Sequence, residues 1–164
     1  MGTIIKQTTI EEIYVSVLQA RLVVNGEGWK RFEPIDKRLQ PTGSLIMDAV
    51  ATILSTTDES EASGLAKRLE VSLRDLNGAV RILTGMLTSD LIMRYRMRQV
   101  KEWLSCTDLS ISEIASKSPF SGAPALSKHF LKTEGMTPGE YRRRLVGKSR
   151  RKHRPENFRE LYKW

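Results

Sequence analysis

A chain of 164 residues has room for one domain with an appendage and for a sizeable core. Its single cysteine, Cys106, excludes an internal disulfide framework and a cysteine-rich metal site, and no run approaches the roughly 20 apolar residues of a membrane span, so a soluble, cytoplasmic protein is expected. The net charge of +8 sits in one place: Arg142 to Arg154 hold eight basic residues and no acid, and the rest balances at 19 basic against 19 acidic.

Residues 1–42 read as an N-terminal extension or arm. Thr9 and Glu12 have capping-box spacing, and Ile10, Ile13, Tyr14, Val17, Leu18 and Arg21 suit an amphipathic helix. The β-branched content also permits strands, with Asn25-Gly26 as a hairpin turn, but the helix is the preferred reading. Gly26 to Pro41, with scattered charges and prolines, reads as a connector.

From Ser44 the pattern is helical. Leu45, Ile46, Ala49, Val50, Ile53 and Leu54 give a first buried face, which ends near Thr56-Thr57-Asp58. Leu65, Ala66 and Leu69 mark a second helix. Ser72 with Asp75 caps a third, whose inward residues are Leu76, Val80 and Leu83 and which Gly85 closes. Thr88 to Ser105 contains neither Gly nor Pro and carries Leu91, Ile92, Tyr95, Val100, Trp103 and Leu104 at helical spacing. At 1.5 Å per residue it predicts a rod of roughly 27 Å.

Beyond it, Ser110 and Glu113 form a capping box for a short helix with Ile114 and Ala115 inward, ended by Pro119. Ser121 is the expected N-cap of the next helix, with Pro124 in its first turn and Leu126, Phe130 and Leu131 as its buried stripe. Cys106 is expected as a small, partly buried residue and His129 as a surface or DNA-facing one. Gly135 suits a left-handed C-terminal residue. Thr137-Pro138-Gly139-Glu140 opens a last helix carrying Tyr141 and Leu145.

The two helical stretches repeat. Leu65-Ala66 and Val71-Ser72 match Ile114-Ala115 and Phe120-Ser121 at an offset of 49, whereas Leu76, Val80, Gly85-Met86 and Leu91 match Leu126, Phe130, Gly135-Met136 and Tyr141 at 50. One residue added near the second turn accounts for the change. The organisation expected is 43–87 and 107–146 as two helix-turn-helix units, 88–106 as a linker helix and 147–164 as a basic tail.

At S-I-x-E-I-A, F-S, L-S-K, F-x-K and G-M-T-P-x-E-Y-R-R-R-L the chain resembles the AraC/XylS family of bacterial transcription regulators. The resemblance implies an all-α module of two helix-turn-helix units joined by a long helix, binding double-stranded DNA. About forty residues before it are too few for the effector-binding jelly roll that many members carry, so no small-molecule pocket is expected.

The family's base-contacting positions map onto Arg74, Asn77 and Gly78 in the first unit, with Ser72 and Arg81 beside them. In the second they map onto Ala123, Pro124, Ala125 and Lys128, with Ser121, Ser127 and Lys132 as phosphate contacts. That unit departs from the pattern: Ala and Pro offer bases only shape or a thymine-methyl contact, Glu134 stands where an aromatic is usual, and Pro119 where glycine is usual. Non-specific phosphate contact falls to Arg142, Arg143, Arg144, Lys148, Arg150, Arg151 and Lys152, the alternative being a solvated tail.

Two functional readings remain open. One is a sequence-specific regulator with two recognition helices in successive major grooves, for which the family suggests RNA polymerase as a partner. The other is an interaction module using its N-terminal arm or its Ala-Pro-Ala surface for a protein partner or for self-association. No catalytic arrangement, phosphate loop, cofactor or metal site is visible in the residues.

Overall fold

The computed structural model describes residues 6–148. The order is α1 (Ile10–Ile13), β1 (Ala20–Val24), β2 (Lys30–Pro34), α2 (Leu45–Thr56), α3 (Ala62–Arg68), α4 (Leu73–Thr84), α5 (Thr88–Cys106), α6 (Ile111–Ser116), α7 (Ala123–Glu134) and α8 (Pro138–Lys148). The fold is mostly helical, with one small hairpin. Among the described residues no helix is long and apolar enough to cross a membrane. The chain divides into two compact units: the described residues before Ser16 join Arg38–Arg98 in the first, and Ser16–Lys37 join the chain from Gln99 onward in the second.

In the first unit the Ser44 hydroxyl accepts the Met47 N–H and starts α2. Met47, Val50, Ala51 and Leu54, one stripe at helical spacing, are buried. The expected face therefore needs correcting: Met47 and Ala51 occupy its centre, whereas Leu45, at the first helical position on the far side, is 90% exposed. Ile13, Leu65, Ala66, Leu76, Val80, Leu91, Ile92 and Tyr95 complete this core.

The turn from α3 to α4 is tight. Val71 N–H donates to Ala66 O at 3.1 Å and Glu70 N–H to Lys67 O at 3.2 Å, a Schellman closure with Glu70 at φ +56, where glycine is usual. Ser72 then caps α4 by accepting the Asp75 N–H at 3.0 Å. Gly85 ends α4 in the left-handed region, as its position predicts.

Arg96, on α5, is buried, and its guanidinium reaches the carbonyls just where α2 ends. Nη1 donates to Leu54 O at 2.9 Å, Nη2 to Thr57 O at 2.9 Å and to Glu59 O at 2.7 Å, and Nε to Glu59 O at 3.1 Å. Burial lowers its pKa, and the neighbouring Tyr95, Asp58 and Glu59 partly restore it.

The long N-terminal helix expected through Arg21 is not formed. The Thr9–Glu12 capping box is present, but α1 is a single turn and Tyr14 is already extended. Non-local partners replace the helical hydrogen bonds. In the first unit, Val15 N–H donates to the Tyr95 hydroxyl at 3.3 Å. In the second, the Ser16 hydroxyl and the Val17 N–H donate to the Glu102 carboxylate at 2.5 and 3.3 Å, and Leu18 and Ala20 are buried.

β1 and β2 then pair antiparallel, from Ala20↔Pro34 to Val24↔Lys30, which corrects the connector reading over Lys30–Pro34. The turn is also longer than Asn25-Gly26. The Asn25 carboxamide oxygen accepts Glu27 N–H at 3.0 Å and Trp29 N–H at 2.9 Å, and Gly28 takes φ +85 to close the loop.

The second unit buries Val100, Trp103 and Leu104 of α5 and Leu109, Ile114, Ala115, Leu126 and Phe130. The Ser110–Glu113 capping box opens α6, and Thr137 with Glu140 forms its counterpart at α8, bonded at 2.8 and 3.2 Å. Tyr141 meets Phe130 edge-on with ring centroids 5.3 Å apart. Three expectations are corrected in this unit. Gly122, not Ser121, is the N-cap of α7 and supplies no side-chain bond. Leu131 is 49% exposed instead of buried. His129 is half-buried, its ring 5.2 Å from that of Phe120 and its Nε2 buried, because the chain leading into α7 folds back over it. Cys106 is half-buried, as expected for a small residue at the end of α5.

Candidate nucleic-acid interface

α3–α4 and α6–α7 are paired short and long helices, each long helix burying one stripe. α4 turns Leu76 and Val80 inward, and this fixes what its other face offers. Arg74, Asn77, Gly78 and Arg81, at i, i+3, i+4 and i+7, are all exposed. Gly78 leaves a bare spot in the middle of that stripe, with nothing within 4 Å of where a Cβ would stand. Ser72 is exposed at the helix start, its oxygen engaged with the Asp75 N–H. Two arginines thus flank an amide, on a helix held by its cap at one end and its core stripe along its length.

α7 repeats the geometry with different chemistry. The stripe equivalent to Arg74, Asn77, Gly78 and Arg81 is Pro124, Ser127, Lys128 and Leu131. Pro124, Lys128 and Leu131 are exposed, Ser127 is half-buried, and Lys132 is exposed alongside. Ala123 and Ala125 are half-buried and Ser121 is exposed. Pro124 stands within the first turn, where its missing N–H costs no intrahelical bond. The connection into α7 spans 117–122, against 69–72 into α4, so the two helices begin in different local settings.

The remaining basic residues separate by placement. Arg143 and Arg144 are exposed on α8. Arg142 is half-buried and its Nε donates to Leu104 O at 3.2 Å, tying α8 to the C-terminal turn of α5. Lys148 is the last residue of α8, and Arg150, Arg151 and Lys152 lie outside the described residues. Glu134, the departure from the family pattern, is paired with Lys101 on α5 at 2.8 Å. Its substitution therefore exchanges an aromatic contact for an ion pair within the unit.

Two exposed apolar side chains stand out on these helices: Leu131, expected in the buried stripe, and Ile82, which is 63% exposed on α4. The repeat itself carries the missed signal: at the offset of 50, Leu131 falls on Arg81 and Lys132 on Ile82. Among the described residues no group of three or more His, Cys, Asp or Glu is placed to hold a metal ion.

The architecture is that of a double helix-turn-helix domain. Residues 65–144 match the family model described as a helix-turn-helix domain. Over 139 residues the chain is 27% identical to the "Uncharacterized HTH-type transcriptional regulator YtdP" of Bacillus subtilis strain 168; the match takes 79% of this chain but only 18% of that protein, so the chain spans less than a fifth of the relative's length. Its fold is similar to the DNA-binding domain of AdpA, a global transcriptional factor crystallised in complex with a target DNA (TM-score 0.58, 27% identity, 63% of this chain and 95% of that one). It is also similar to the C-terminal domain of AraT, a response regulator from Geobacillus stearothermophilus (TM-score 0.55, 28% identity, 60% of this chain and 84% of that one). Residues 65–144 thus carry a helix-turn-helix domain that is similar in sequence and fold to AraC-type domains of transcription regulators.

Proposed function

We propose that this protein is a sequence-specific, double-stranded DNA-binding transcription regulator that presents α4 and α7 to successive major grooves, sites about 34 Å apart along the duplex. The observation that carries this reading is the exposed Arg74–Asn77–Gly78–Arg81 stripe on a helix whose other face is core. Arg74 is suited to two bonds with a guanine edge and Asn77 to two with adenine, while Gly78 lets the helix backbone approach the groove closely. The AdpA domain's structure with its target DNA supports the same use of this fold.

Arg143, Arg144 and the basic run from Lys148 supply sequence-independent affinity by displacing counterions. Arg142 is assigned to holding α8 against Leu104 O. The reading is tested by Arg74→Ala, which should cost on the order of 1–3 kcal/mol on the preferred duplex and relax preference at one base pair. An unchanged preference removes Arg74 from the reading face.

A second reading, a module that binds a protein such as RNA polymerase or another regulator, is favoured by the hairpin, where Trp29 is 74% exposed and Phe32 is also exposed. Trp29→Ala separates the two: under the DNA reading it leaves duplex affinity intact, and under the interaction reading it abolishes capture of the partner.

A further inference from the structure

The stripe on α7 has a residue in it that nothing in the second unit uses. Leu131 stands at the position of Arg81, seven residues after Pro124, and shares one face with Pro124 and Lys128. Half of its surface is in water, and the unit's core is closed by Leu126 and Phe130 without it. An isolated exposed leucine needs no explanation. Lys128, one turn before it on the same face, and Lys132, on the adjoining face, are exposed cations, so the surface around it is complementary to a polyanion and poor for an apolar protein partner.

In a DNA major groove the apolar feature available to such a side chain is the C5-methyl of thymine, which distinguishes A·T from the other pairs. Resting on the DNA-binding function proposed above, we infer that Leu131 reads a thymine methyl, and that the second unit recognises its box by apolar contact where the first uses the hydrogen bonds of Arg74 and Asn77. The two boxes of one site are then unlike. The α4 box is read through hydrogen bonds, and the α7 box through a thymine at a fixed position with Lys128 and Lys132 on the flanking phosphates.

The experiment uses the full chain and the best duplex recovered from a random library, with each thymine of the α7 box replaced in turn by deoxyuridine, which removes only the methyl. Affinity is measured by fluorescence anisotropy at fixed salt. One replacement should weaken binding about fourfold, the loss expected for one buried methyl. Leu131→Ala should weaken the parent duplex by a similar factor and be indifferent to that replacement, while its affinity for random duplex is unchanged, which shows that it is folded. Leu131→Arg, copying Arg81, should lose the methyl discrimination and bind random duplex more tightly.

Specific binding with no methyl effect in the α7 box, or a methyl effect that survives Leu131→Ala, overturns the inference and leaves the proposed function standing. If no duplex is preferred over random DNA, both fall together.

Discussion

Replacing Arg96 with methionine should unfold the first unit's packing around α2 far more than its sequence position between two apolar neighbours suggests. The guanidinium donates hydrogen bonds to the carbonyls of Leu54, Thr57 and Glu59. Methionine preserves the length of the stem and removes every donor. The Leu54 carbonyl is buried, so it is left without a partner, while those of Thr57 and Glu59 are near enough to solvent to recover part of their bonding. A loss of about 3 kcal/mol follows, the upper end of the cost of leaving a buried acceptor unsatisfied, to which the charge-assisted bonds lost at Thr57 and Glu59 contribute. Hydrogen exchange resolves the effect by unit: amides of α2 and α4 should lose protection by more than about a hundredfold. If they lose less than about fivefold, roughly 1 kcal/mol, Arg96 does not hold the end of α2 and the reading of that network is wrong.

Two further outcomes are expected. Glu59 accepts the N–H groups of Glu61 and Ser60, each at 3.0 Å, and pairs with Arg68 at 3.1 Å, in room that Gly64 leaves for it. The Glu61 bond, aided by Arg68 and Ser60, lowers its pKa below the ordinary 4.5, so its contribution is complete above that value and is lost as pH falls through the lowered one. Glu59→Gln should therefore flatten the acid side of the melting-temperature profile and leave its slope near neutrality alone; an unaltered acid side contradicts the assignment. Deleting the chain from Gly147 onward should weaken preferred and random duplexes about equally and reduce the salt dependence of binding. A loss confined to the preferred duplex would assign the tail to base reading.

What the sequence disclosed was local. Thr9, Ser72, Ser110 and Thr137 each accept a nearby N–H, and Gly85 and Gly135 take the left-handed conformation, because caps depend on residues three or four positions apart. The repeat placed the inward stripes of α4 and α7 for the same reason.

Misreadings arose where a distant partner decided the outcome. Val15, Ser16 and Val17 are extended because Tyr95 and Glu102 take their hydrogen-bonding groups. Glu134 departs from the family pattern, and its partner Lys101 lies 33 positions away in the chain. Arg142 belonged to a run of three arginines by composition, yet only its neighbours Arg143 and Arg144 reach solvent freely. Leu131 adjoins the stripe of Leu126 and Phe130 and reads as core beside them, although its register with Arg81 places it outside. Arg96 showed no signal at all, since an arginine in an amphipathic helix is ordinarily a solvated one.

The central claim is tested most directly by selecting bound duplexes from a random library with the full chain at physiological salt. The account predicts two enriched boxes about one helical turn apart: one carrying the guanine and adenine suited to Arg74 and Asn77, the other a thymine at a fixed position. A single box would confine base reading to α4. Recovery of duplexes no different from the starting library would contradict sequence-specific DNA recognition by this protein.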